Sequence, residues 1–263
     1  MENVSFGRVL ILQLDEWVNM LAAPLMPPRI VAEADDLIRL EFREHIPHAV
    51  MVGKSIRAVS GLKAALVLAD LGYVTECAAL LRMVSDFCVE IKAIAAPLRS
   101  GGELPAAVRT FVEQYFIPKA RTPEAFGADE RRRYISREEL MKGEVRMAQG
   151  TKVNGEQMRG LRRFLNMTYD AYVHGAYETT MELCNPSTGR FMVGGHPDIE
   201  KREEFVEAVF LKLHEVVMAL ELTAALTAHA TVFEAAREAR HVMDASQPWK
   251  AIPSHNRLPQ SNP

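Results

Sequence analysis

Apolar residues recur at three- and four-residue intervals along most of this chain, a spacing that places them on one face of successive α-helices. Val9, Leu12, Trp17 and Leu21 predict a first helix over 4–23. Pro24 and Pro27-Pro28 stop it, because proline has no amide proton and clashes with the preceding turn. A mixed pattern of Val31, Ala34, Leu37 and Ile38 predicts a second helix from Ile30 to His45. Pro47 is tolerated in the first turn of a third helix, which runs to Leu71 with Gly72 at the left-handed closing position. A fourth, about Val74 to Leu98, is apolar around most of its circumference and so belongs in the middle of a bundle. Ser100-Gly101-Gly102 ends it, and a shorter helix follows from Pro105 to Tyr115 or Phe116.

Between Lys119 and Lys152 the long apolar faces disappear, leaving a charged stretch with Arg131-Arg132-Arg133 and a helical piece near Ser136 to Gln149. From Gly155 to Cys184 a long apolar helix returns through Leu161, Leu165, Tyr169, Tyr172, Ala176 and Met181, until Asn185-Pro186 breaks it. Residues 185–197 read as a loop or small hairpin, the one β element the pattern offers. Asp198 is placed to cap a last helix that carries Phe205, Val209, Leu213, Val216 and Leu220 and continues to about Met243. The tail 245–263, rich in Pro, Ser, Gln and Asn, is predicted to be disordered. The fold class is therefore all-α: an elongated multi-helix bundle in one domain over 1–244, with the helices of 4–45 packing as an arm.

Composition narrows the classes of function. With 48% hydrophobic and 25% charged residues, the chain can bury a core of its own. Its formal net charge of -3 gives no global attraction to nucleic acid or anionic lipid, so any basic surface has to be local. Such a surface is predicted over 119–163, with twelve Lys or Arg against seven Asp or Glu; Arg159, Arg162 and Arg163 are its last members. A solvated face on a charged connection fits the same run. Cys77, Cys88 and Cys184 form no Cys-x-x-Cys pair, which points to buried free thiols in a cytoplasmic protein. No basic leader and no apolar run of roughly 20 residues predicts secretion or a membrane span.

Two polar constellations interrupt the apolar helices. Arg82, Asp86 and Glu90 lie at i, i+4 and i+8, one stripe of one helix. The stripe faces solvent, or it is a buried polar line that needs further partners and marks a site. Asp170, His174 and Glu178 repeat the spacing among Tyr169, Tyr172 and Tyr177. In a continuous helix Asp170 can bind one ring nitrogen of His174 and leave the other as base, donor or ligand. A core histidine satisfied by its neighbour is the plainer alternative. Gly175, costly inside a helix, should have a packing or access reason, such as a close helix crossing beside His174.

The segments Ala79-Leu-Leu-Arg-Met-Val-Ser-Asp86 and Tyr169-Asp-Ala-Tyr-Val-His-Gly175 resemble a bacterial helical family of unknown function related to HEPN domains, over about Pro47 to Met243. In that family an Arg-x-x-x-acid helix packs near a Tyr/Ser-x-x-x-His helix, which the resemblance maps onto Arg82, Asp86, Tyr169 and His174, with four residues instead of three between the last two. It implies RNA binding or cleavage in defence or stress responses. Ribonuclease HEPN domains carry an arginine four to six positions before the histidine, whereas the nearest upstream arginine here is Arg163, so Arg82 would have to act from the neighbouring helix. His174 would then move the 2′-hydroxyl proton and Arg82 would stabilise the phosphate.

The composite site that follows comprises His174, Arg82, Asp86, Tyr169 and Asp170, with Glu90, Tyr172, Arg159, Arg162 and Arg163 contacting substrate. No metal, cofactor or DNA-binding motif is implied: a di-iron bundle needs two Glu-x-x-His motifs, and only Glu238-Ala-Arg-His241 fits. RNA and a second copy of the chain are the candidate partners. The competing readings are a non-catalytic interaction or dimerisation module and a small-ligand pocket lined by Tyr169, Tyr172 and His174.

Overall fold

The computed structural model describes residues 2–26, 28–32, 38–117, 136, 139–140, 142, 160, 167–185 and 187–246. The protein is a mostly helical multi-helix bundle with a few short strands. Helix α1 spans Glu2–Ala22 and runs into a 3-10 turn at Ala23–Leu25, where Pro24 sits. Helix α2 spans Pro47–Leu71 with Pro47 in its first turn, α3 spans Val74–Arg99 and α4 spans Ala106–Tyr115. All four lie within a residue or two of the positions that the prolines and glycines predict.

The predicted helix from Ile30 to His45 is instead an antiparallel hairpin, β1 at Arg29–Ala32 and β2 at Ile38–Glu41. Ile-Arg-Leu-Glu in β2 alternates with a period of two, and Ile30-Val31 is β-branched, which suits a pleated strand better than a helix. Arg29 stands opposite Glu41 and its Nε donates to Glu41 Oε2 at 2.9 Å. The N-terminal region is thus a helix and a hairpin, and α1 belongs to the core of the bundle.

Two further helices are shorter than predicted. The helix expected to run to Cys184 ends at residue 173. There Gly175 takes φ +60, its N–H reaches Tyr172 O at 3.4 Å and the Ala176 N–H reaches Ala171 O at 2.9 Å, the paired bonds of a left-handed helix end. A Cβ at Gly175 would meet nothing within 4 Å, so the glycine serves the turn and not a close crossing. Helix α5, Tyr177–Met181, follows, and then the small hairpin of β3, Cys184–Asn185, with β4, Arg190–Phe191. Cys184 accordingly lies half-buried in a strand, while Cys77 and Cys88 are buried thiols.

The last predicted helix is two: α6, Ile199–Leu226, and α7, Ala230–Ser246. Asp198 caps α6 by accepting the Glu200 N–H at 2.9 Å, as its position predicts. The break falls at Ala228, whose φ of 54 lets the His229 N–H close on Ala224 O at 2.9 Å. Alanine rarely adopts this backbone, so the sequence carries no glycine signal for the break.

One hydrophobic core joins the long helices, with α2 against α3 and α6, α6 against α7, and α1 across α2, α6 and α7. Leu14, Met51, Leu62, Leu81, Ile91, Leu213 and Leu220 are fully buried within it. Among the described residues no helix is long and apolar enough to cross a membrane. The charged stretch 119–152, apart from Ser136, Glu139, Leu140 and Lys142, lies outside the described residues, as does the tail from 247. Ser136 accepts the Glu139 N–H on its hydroxyl at 3.2 Å, the helix start predicted there.

The loop before α6 is clasped to the end of α2. Gly72 has φ +84, its carbonyl accepts the His196 N–H at 2.7 Å, and Arg202 Nε donates to His196 O at 2.6 Å. A Cβ on Gly72 would stand 2.5 Å from His196 O. The two left-handed glycines therefore separate conformational strain from collision. Gly175→Ala should cost about 1 kcal/mol and Gly72→Ala about 3 kcal/mol. Denaturant titration of the two variants checks this, and equal costs would contradict the clasp.

Candidate functional site

Helix α3 turns Arg82 of its polar stripe inward. Arg82 is only 7% exposed, although the residues around it on the helix are largely apolar. A buried guanidinium must be neutralised, and its planar fork suits two carboxylates at once. Its Nη1 pairs with Asp86 one turn on, and its Nε donates to Asp170 Oδ1 at 2.8 Å. Asp86 and Asp170 are both partly open to solvent, so the cation is enclosed while its counter-charges stay partly hydrated. Arg82 is thus the buried member of the stripe, Asp86 stays partly exposed, and a further partner comes from the second constellation.

Glu90, in the same stripe, joins a different cluster. Its Oε2 lies 2.6 Å from Lys54 Nζ on α2. That ammonium also sits 5.1, 5.3 and 5.4 Å from the ring centroids of Phe87, Phe111 and Tyr115, a cation–π cage that ties α4 to α2 and α3. Burial pushes the Glu90 carboxyl above its ordinary range against the pull of Lys54, with Asp86 adding to the rise. Burial, then the Glu90 charge, raises the Tyr115 phenol likewise. Glu90 is paired inside the bundle and is not placed to meet a substrate.

The helical segment 167–173 lies against α3 and α6 through Tyr169, Asp170 and Tyr172. Tyr169 is half-buried with Lys212 Nζ 5.8 Å from its ring, and burial, with Cys77 and Glu215 nearby, pushes its phenol up to about 12. The Tyr172 hydroxyl donates to Glu182 Oε1 at 2.9 Å, and its ring meets Phe205 edge-on at 6.1 Å. Burial and the neighbouring Glu182 raise this phenol above its ordinary value. Glu182 also lies 3.4 Å from Lys201, which fastens the segment to α6. Both tyrosines are therefore structural contacts as well as members of the predicted site.

His174 fits neither expectation. It is not a core histidine, and Asp170 does not orient it: it is exposed, it is the first residue past the helix, and its backbone N–H bonds to Asp170 O at 3.0 Å. Among the described residues its ring has no hydrogen-bonding or charged partner. The Asp170 carboxylate is directed to Arg82 instead. Because the helix ends before His174, Glu178 falls on α5 and the predicted Asp170, His174, Glu178 stripe does not form. Arg159, Arg162 and Arg163, like Arg131 to Arg133, lie outside the described residues.

A polar cluster absent from the sequence expectations sits beside this pair. Lys212 Nζ on α6 donates to Ser85 Oγ at 3.0 Å and to Glu215 Oε2 at 2.7 Å. Lys92 Nζ on α3 lies 3.4 Å from Glu215 Oε1. Ser85, Lys92 and Lys212 are each under a tenth exposed. The signal for it is a single lysine inside each of the apolar runs Val89 to Ala96 and Val209 to Val217. Within the described part of this seam Arg82, Lys92 and Lys212 face Asp86, Asp170 and Glu215, an even balance of charge.

No protein-family model matches the chain, and neither curated proteins nor solved structures yield a match.

The chemistry open to the arrangement follows from exposure. Arg82 is enclosed and paired with two carboxylates, which suits it to hold the 167–173 segment. His174 has the reverse properties: an imidazole in solvent on a backbone fixed one turn earlier. Because two carboxylates share Arg82, losing either leaves it paired, and losing both strands a buried cation. Asp86→Asn and Asp170→Asn should each cost about 1 kcal/mol, and the double variant about 4 kcal/mol. Denaturant unfolding of the three variants measures this; simple additivity would contradict a shared guanidinium.

Proposed function

We propose that the protein binds RNA and presents the helix end at His174 to it. The observation that carries this reading is the 2.8 Å bond from Arg82 to Asp170, which links the two polar constellations across the bundle. It holds the backbone just ahead of an exposed imidazole. The HEPN-like resemblance supports the same pairing of an Arg-x-x-x-acid helix with a Tyr…His helix, here Arg82 and Asp86 with Tyr169 and His174. The basic surplus over 119–163, ending in Arg159, Arg162 and Arg163, leads directly into that segment and would supply phosphate contacts.

In this reading Arg82 is a positioning residue. Charge on a bound phosphate would be met by Arg159, Arg162 and Arg163, not by a guanidinium already neutralised inside the core. Should the RNA be cut, His174 would take the 2′-hydroxyl proton as that oxygen attacks phosphorus, and return it to the departing 5′-oxygen. A second reading, a non-catalytic interaction module, is favoured by the pairing of the buried cations Arg82, Lys92 and Lys212 with Asp86, Asp170 and Glu215, which a purely structural role accounts for.

Fluorescence anisotropy with a labelled single-stranded RNA tests the proposal. Affinity should fall steeply with salt, and replacing Arg159, Arg162 and Arg163 together by Ala should lower the log–log slope by about 2. His174→Ala should leave affinity and melting temperature unchanged while removing any cleavage. Absent or salt-insensitive binding would contradict RNA recognition. Unchanged cleavage by His174→Ala would contradict the role given to the imidazole.

A further inference from the structure

Helices α1 and α7 leave a groove of about 340 Å³ between them. Its α1 wall is the row Phe6, Leu10, Gln13 and Trp17, spaced by three and four residues, so the groove follows the helix axis for about 16 Å. Its lining is mainly apolar: Leu10, Trp17 and Ala239 are buried in its floor, and Phe6, 37% exposed, and Val242 on α7, 44% exposed, stand open to solvent. The only charged side chains among the described residues lining it are Glu16 on α1 and Glu238 on α7. Both are exposed, and neither has a basic partner among the described residues.

We infer that this groove docks a basic amphipathic helix from a protein partner. Three features together select that occupant. The length is that of about three helical turns, the usual reach of a helix laid into a groove. The apolar floor would take side chains repeating at i, i+4 and i+7. Carboxylates without basic partners, one on each wall, complement Lys or Arg flanking that apolar ridge, whereas an acidic helix would meet two like charges. No residue of the Arg82 and His174 region takes part, so docking here is independent of RNA binding.

Trp17 lines the groove and reports on its occupancy. The full-length chain carrying Trp249→Phe, so that Trp17 is the sole tryptophan, is titrated with a short synthetic helix bearing a Leu stripe flanked by Lys. A counterpart with Glu in place of Lys is the control. The Lys peptide should shift Trp17 emission saturably and bind about tenfold or more tighter than the Glu peptide. Glu16→Lys with Glu238→Lys should reverse that preference, and Val242→Glu should weaken both peptides, with RNA binding unchanged in each. Equal affinity for the two peptides, or no binding of either, would overturn the proposal. So would self-association of the chain abolished by Val242→Glu, which would assign the groove to a second copy.

Discussion

A guanidinium that has left water needs negative charge within hydrogen-bonding distance, and the arrangement around Arg82 follows from that need. Asp86 is supplied by helical geometry, one turn along α3. Asp170 comes from a segment 88 residues away, which must lie against α3 for the bond to form. That contact positions Tyr169 over Lys212 and brings Tyr172 to Phe205 and Glu182. It also holds the last turn before the helix ends, and with it the exposed position of His174. A single buried cation thereby couples the core of the bundle to an imidazole in solvent.

The neighbouring polar groups obey the same rule. Lys212 and Lys92 converge on Glu215, with Ser85 accepting from Lys212, and Lys54 is met by Glu90 and three aromatic rings. Each lysine extends an aliphatic stem through the apolar layer and ends at a carboxylate. A core built mainly of Ala, Val, Leu and Ile offers few directional contacts against sliding of the helices, and paired charges at chosen heights oppose it. This is a role in specificity of packing rather than in raw stability.

What is legible in the residues is local. Pro47, Gly72 and Asp198 each act through their own backbone or the next turn, and each stands where its chemistry predicts. The hairpin of β1 and β2 escapes the pattern because Ile30, Val31, Leu37 and Ile38 satisfy a helical spacing as well as a strand, and short apolar runs do not separate the two. Ala228 carries no sequence mark of its left-handed backbone. Gly175 does stand out in the sequence, but a helix crossing and a helix end call for the same residue, and only its open surroundings assign it to the turn. The stripe of Arg82, Asp86 and Glu90 is visible, yet its destinations are not. Arg82 reaches Asp170 and Glu90 reaches Lys54 because helices from distant parts of the chain meet there, and one periodicity gives no information about another.

If Arg82 holds the 167–173 segment to the bundle, removing its charge should free that segment and little else. Amide hydrogen exchange of the wild-type chain and of Arg82→Met tests this most directly, because Met keeps the apolar stem and removes the charge. Loss of protection confined to residues 167–174, with the amides of α2, α3 and α6 still protected, is the predicted result. Unchanged protection over 167–174, or an even loss across all the helices, would contradict it.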